Sequence, residues 1–184
     1  MTPWKSRQLD LGRYVLVGHS MGGKVAQIVA ARRPKELVGL VLVAPAPPTP
    51  MPVPEAVRAG TLQSYGSREG VLQALAVLGG EALPNELREQ VIEDTLRGAP
   101  ETKSAWTERG MVEGVTKGLD AVGLPVTVVV GDRDQVEHED TLKEVFARFL
   151  PQATFRRLRG VEHLSPLEAP DALADACNAL LHDL

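Results

Sequence analysis

Cysteine is almost absent. Cys177 is the single one in 184 residues, so no internal disulfide can form and folding needs no oxidising compartment. Aromatic side chains make up only 4% of the chain, too few for the stacking platforms that hold single-stranded nucleic acid. Positive charge is not in excess either: the net charge of −4 removes the electrostatic basis for binding nucleic acid or an anionic membrane. No apolar run approaches the roughly 20 residues of a membrane-spanning helix. The opening Met1-Thr2-Pro3-Trp4-Lys5 lacks the apolar segment of a signal peptide. The four histidines, at 19, 138, 163 and 182, show no metal-ligand spacing. These absences lead to the expectation of a cytoplasmic protein with no metal, no cofactor, no nucleic-acid partner and no membrane partner.

What is present is ordinary globular material, 43% apolar and 24% charged, enough for one domain with a substantial core. Continuous apolar runs at Tyr14 to Val17, Val38 to Val43 and Val126 to Val130 read as buried strands. A weaker fourth at Ala153 to Leu158 is interrupted by Arg156 and Arg157, which places it nearer an edge. Strands alternate with helices at both ends of the chain, the pattern of an α/β fold with a mostly parallel sheet. Lys24 to Arg32 is helical and stopped by Pro34. Cys177 falls in a C-terminal helical pattern, as a core residue rather than a nucleophile. Between the second and third strands lies a different region. Six prolines between Pro45 and Pro54 exclude regular helix or central strand. Helical patterns follow at Glu55 to Ser64, Arg68 to Leu78, Pro84 to Arg97 and Glu101 to Lys117, each bounded by Gly or Pro. The reading divides the chain into a core of residues 1–48 and 122–184 and an inserted helical segment of residues 49–121.

The chemistry starts at Val17-Gly18-His19-Ser20-Met21-Gly22-Gly23. A Gly-x-Ser-x-Gly turn between strand and helix lifts a serine hydroxyl clear of the backbone, and Gly18 and Gly22 suit it because side chains there would collide with neighbours. Ser20 needs a base to take its proton and an acid to orient that base. Loops at the carboxyl ends of parallel strands gather ligand-facing groups. After the third strand such a loop carries Asp132, Asp134 and Glu137, all open as the acid. After the fourth strand, His163 stands in Gly160-Val161-Glu162-His163-Leu164 ahead of Ser165-Pro166-Leu167-Glu168. The latter reads as a helix start with a cap serine, a first-position proline and a capping-box glutamate, which would fix the loop bearing His163. His19 adjoins the serine, with its side chain expected on the opposite side of the turn in a packing or hydrogen-bonding role. His138 and His182 read as surface residues.

The stretch Val-Gly-His-Ser-Met-Gly-Gly, the alanine-rich helix after it and Leu40-Val41-Leu42-Val43-Ala44-Pro45 resemble the α/β-hydrolase family. Within it they are most similar to the small esterases and the cofactor-free haloperoxidase-type members. The resemblance runs from about residue 10 to the C-terminus and is weakest between residues 50 and 120. It implies a serine hydrolase acting on a small acyl substrate, and the family's Gly-x-x-Asp pattern selects Asp134. The order Ser20, Asp134, His163 matches the family's, although Glu162 stands where a glycine more often precedes the histidine. The resemblance also implies an oxyanion donor at the backbone N–H of Met21, and that the helical segment is a cap, with Trp106 a candidate pocket residue.

Only about thirteen residues precede the elbow strand, so the resemblance implies that the family's first four strands have no counterpart here. The second oxyanion donor, which the family takes from the loop after its third strand, has none either. Trp4 and Lys5-Ser6-Arg7-Gln8 read as the middle of the helix before the elbow strand. The expectation is an active enzyme whose start lies upstream. The alternative is a non-catalytic fragment or interaction module that self-associates through the open edge of the elbow strand. A third reading gives the same three residues perhydrolase or haloperoxidase chemistry.

Overall fold

The computed structural model describes residues 11–184; the expectation for Trp4 to Gln8 lies outside them. Four parallel strands, β1 (Tyr14–His19), β2 (Leu37–Val43), β3 (Val126–Gly131) and β4 (Thr154–Leu158), form one sheet in the order β1-β2-β3-β4. β2 and β3 are buried throughout apart from Val38, which is why they read as unbroken apolar runs. Among the described residues β1 and β4 are the edges, and Val17 is 48% exposed.

Alternation along the strands feeds two cores. Leu40, Leu42, Val128 and Val130 face one layer, with Ala26 and Ala30 of helix α1 (Met21–Ala31) and Leu142 and Phe146 of helix α6 (Glu139–Phe149). Val41, Val43 and Val129 face the other, with Ala176 and Leu180 of helix α8 (Pro170–His182). Cys177, expected in the core, is only half-buried at the margin of this second core, and burial pushes its thiol pKa up. Helix α6 is absent from the sequence reading, although Leu142 and Phe146 stand four residues apart on one face.

The inserted segment contains α2 (Glu55–Ser64), α3 (Arg68–Leu78), α4 (Asn85–Arg97) and α5 (Pro100–Ala105). Ser67 caps α3 by accepting the Gly70 N–H at 3.1 Å. The fourth expected helix, Glu101 to Lys117, is shorter than its pattern. After α5 comes a π-helical turn, Trp106–Gly110, and the chain then returns to the proline-rich loop, where Val115 donates to the Pro48 carbonyl at 2.7 Å. Val71, Leu75 and Ile92 form a small core within this segment. Among the described residues no helix is long and apolar enough to cross a membrane.

The expected helix start at Ser165 is also corrected. A short helix α7 (Ser165–Glu168) is capped by Leu164, and the buried Ser165 hydroxyl has no hydrogen-bond partner among the described residues. Glu168 reaches back further than a capping box, accepting the Glu162 N–H at 2.7 Å. It still ties down the loop ahead of the helix, as expected of this segment.

Candidate functional site

At the carboxyl end of β1 the chain reverses into α1 through one residue. Ser20 has φ 51° and ψ −120°, a conformation that L-residues rarely adopt and that must be held by its surroundings. Three backbone bonds do so: the Ser20 N–H donates to the Val43 carbonyl at 2.9 Å, and the Ser20 carbonyl accepts from Gly23 at 2.9 Å and Ala46 at 3.0 Å. Glycine is needed here at Gly18, as the sequence suggests, but at Gly23 rather than Gly22. A Cβ on Gly18 would stand 2.5 Å from the Gly22 carbonyl, and one on Gly23 would stand 2.6 Å from Pro45 Cβ, whereas a Cβ on Gly22 meets nothing within 4 Å. Gly22 matters through its backbone, and Gly23 is the second residue whose side chain would collide.

Prolines supply carbonyls without N–H groups, so the loop after β2 takes donors from α1. Gln27 Nε2 donates to the Ala46 carbonyl at 3.0 Å and Lys24 Nζ to the Thr49 carbonyl at 3.2 Å. Both residues are buried, and the sequence reading assigned neither a role.

Ser20, Asp134 and His163 converge from three different loops. His163 Nε2 lies 2.9 Å from Ser20 Oγ, and His163 Nδ1 lies 2.9 Å from Asp134 Oδ2. His163 and Asp134 are each 3% exposed. The other carboxylate oxygen, Asp134 Oδ1, accepts the N–H groups of Val136 at 2.7 Å and Glu137 at 2.9 Å. Burial would raise the Asp134 pKa, but the hydrogen bond and charge of His163, with these two N–H donors, outweigh it and hold the carboxyl below its ordinary range. Asp134 is therefore ionised at neutral pH. Nδ1 carries the imidazole proton, and Nε2 is left to accept from the Ser20 hydroxyl.

The rival carboxylates sit elsewhere. Asp132 Oδ1 accepts the Gly160 N–H at 2.6 Å and so braces the far side of the histidine loop. Glu137 is 6% exposed, and its pKa is pushed up to about 8 by burial first and by the charge of Asp134 second, with Lys24 opposing.

Glu137 therefore keeps its proton in the folded chain while the unfolded chain ionises from about pH 4.5. Over that interval the unfolded state binds fewer protons, so stability is lost as pH rises toward 8 and then levels off. Glu137→Gln removes this cost. The Tm of the variant minus that of the wild type should grow by roughly 10 °C between pH 5 and pH 8, read by differential scanning fluorimetry. A constant difference across the range would rule out a buried, protonated Glu137.

His19 differs from its sequence expectation in direction. Its ring lies 5.2 Å from that of His163, and its Nε2–H donates to the His163 carbonyl at 2.8 Å. Burial, and the neighbouring His163, hold its pKa below the ordinary value, so it is neutral at pH 7. The signal was available in strand periodicity. His19 shares a strand face with Val15, which packs on the α8 side of the sheet, and the loop bearing His163 leads toward α8.

Met21 is the first residue of α1, so its N–H has no acceptor within the helix and stands immediately beyond Ser20. Met21 also lines a cavity of about 270 Å³ with Trp106, Lys24 and Val25. Trp106 thus borders the same cavity as the residue beside the elbow serine. A hydroxyl bonded to an imidazole that is itself bonded to a buried carboxylate can be deprotonated as it attacks a carbonyl.

Residues 5–176 match the model of the Alpha/beta hydrolase family. Lipase 3 of Moraxella sp. (strain TA144) is 26% identical, over 83% of this chain and 50% of that protein. Lipase 1 of Psychrobacter immobilis is 25% identical, over 86% of this chain and 52% of that protein. The chain therefore spans about half the length of the curated relatives it matches. An esterase from Exiguobacterium antarcticum shares the fold, with a TM-score of 0.82 at 15% identity over 94% of this chain and 68% of that one. With a family match across most of its length and the parallel sheet and covering helices to go with it, the chain belongs to the alpha/beta hydrolase family.

Proposed function

We propose that the chain is a serine hydrolase cleaving a carboxylic ester of a small acyl substrate. The observation that carries this reading is the pair of 2.9 Å contacts linking Ser20 Oγ to His163 and His163 to Asp134 at a serine held with φ 51°. His163 Nε2 takes the hydroxyl proton as Ser20 Oγ attacks the acyl carbon. Asp134 stabilises the imidazolium, and the N–H of Met21 donates to the developing oxyanion. The imidazolium then returns the proton to the leaving alcohol. Water attacks the acyl-enzyme with His163 again as base, releasing the acid and restoring Ser20. All the groups in this cycle are side chains or backbone of the chain, so it calls for no cofactor. The names of the two lipase relatives support an ester bond as the target. The segment between β2 and β3 is read as a cap, with Trp106 on the wall of the substrate pocket.

Fluorophosphonate labelling of the chain, read by intact mass and peptide mapping, tests the reading. The expected result is a single adduct on Ser20 that is lost in His163→Ala. Adducts on other serines, or none from a folded chain, would overturn it.

A further inference from the structure

The loop that carries His163 has no regular secondary structure of its own, so its position is set by what touches it. Five braces belong to the core. Two of them come from the loop after β3: Asp132 accepts the Gly160 N–H, and the Arg133 N–H donates to the Val161 carbonyl at 3.0 Å. A Cβ on Gly131 would overlap the carbonyl oxygen of Val161 and stand 2.7 Å from that of Glu162; β3 therefore approaches the loop closely because glycine stands there. His19 donates to the His163 carbonyl, and Glu168 accepts the Glu162 N–H.

A further brace comes from the inserted helices. Leu164 packs against Val71, Leu75 and Ile92 of α3 and α4. Glu162 lies over Gly79, which ends α3 with φ +85°; a Cβ at that glycine would fall on the Cβ and carboxylate of Glu162. The two residues flanking His163 are thus both seated on the end of α3 and the core beside it. A segment gripped on both sides of one residue cannot slide or roll at that residue without losing a contact. Displacing a reacting group by about 1 Å costs on the order of 100-fold in rate.

We propose that Gly79 and Leu164 are positioning residues for His163. The docked α3–α4 unit keeps the imidazole in line with Ser20 and Asp134, so the insertion takes part in aligning the base as well as covering the site. This rests on the reading of Ser20, His163 and Asp134 as the reacting groups.

The test uses the 184-residue chain with 4-nitrophenyl butyrate as ester and a fluorophosphonate as probe. Leu164→Ala and Gly79→Ala should each lower kcat and the Ser20 labelling rate by 10- to 100-fold, with KM within about twofold of wild type. Adding Glu162→Gly to Gly79→Ala removes the side chain that the new Cβ strikes, and should recover labelling at least fivefold. A packing defect unrelated to His163 gives no such recovery, so absence of rescue overturns the proposal. An effect on KM alone, or labelling at the wild-type rate in both variants, does the same. If Leu164→Ala fails to fold, the Gly79→Ala pair decides. A wild-type chain that never labels at Ser20 would instead refute the serine-hydrolase reading itself.

Discussion

Ser20→Ala is expected to lower kcat for ester hydrolysis by about 10⁴-fold or more, because among the described residues no other hydroxyl is bonded to His163 and the residual rate comes from binding and oxyanion stabilisation alone. The fold should survive, since the turn is held by backbone bonds to Val43, Gly23 and Ala46 that alanine retains. The φ of 51° at this position adds a second consequence. Alanine inherits the strain while glycine is free of it, so Ser20→Gly should be more stable than Ser20→Ala by about 1 kcal/mol. Steady-state kinetics with a chromogenic ester and thermal unfolding of the two variants check both parts. Activity within tenfold of wild type in Ser20→Ala would remove Ser20 from the chemistry.

The second large effect belongs to Asp134→Asn, which is nearly isosteric. Two N–H groups, from Val136 and Glu137, point at Oδ1, so the new amide must keep its carbonyl oxygen there. Its NH₂ then faces His163 Nδ1, where Oδ2 stood at 2.9 Å. Nδ1 must accept, the ring proton moves to Nε2, and Nε2 can no longer take the proton of Ser20. The expected loss is about 10³- to 10⁴-fold in kcat, with labelling of Ser20 slowed in parallel. A loss below tenfold would mean that His163 is not oriented through Asp134.

Much of the sheet was legible because burial on both faces leaves a simple trace. Leu40 to Val43 and Val126 to Val130 are apolar at every position except Thr127, which no exposed strand could be. The helices of the insertion were legible because Gly and Pro bound them; α2 and α3 begin and end at the residues the pattern names. Helix α6 escapes the sequence reading although Leu142, Val145, Phe146 and Phe149 repeat at helical spacing, because its first turn, Glu139 and Asp140, continues an acidic loop. The pattern from Glu101 to Lys117 runs too far: Gly110 and Gly114 mark its end, helical structure stops at Gly110, and Val115 bonds back to Pro48.

The sequence by itself determined the strands, the helices and the supply of chemistry: a serine in a tight turn, and carboxylates and a histidine after later strands. These follow from local sterics and periodicity, which act over a few residues. Asp132, Asp134 and Glu137 share one loop, and local sterics do not separate them: the family's Gly-x-x-Asp pattern points to Asp134, and the tertiary structure sets Asp134 against His163 while Asp132 takes the Gly160 N–H. The tertiary structure also moved the glycine requirement from Gly22 to Gly23, because Pro45 arrives from β2, and turned His19 toward His163. The grip of Gly79 and Leu164 on the histidine loop was invisible for the same reason. Those residues lie far apart in the chain, and contacts of that range are set by how the layers pack rather than by any property of neighbouring residues.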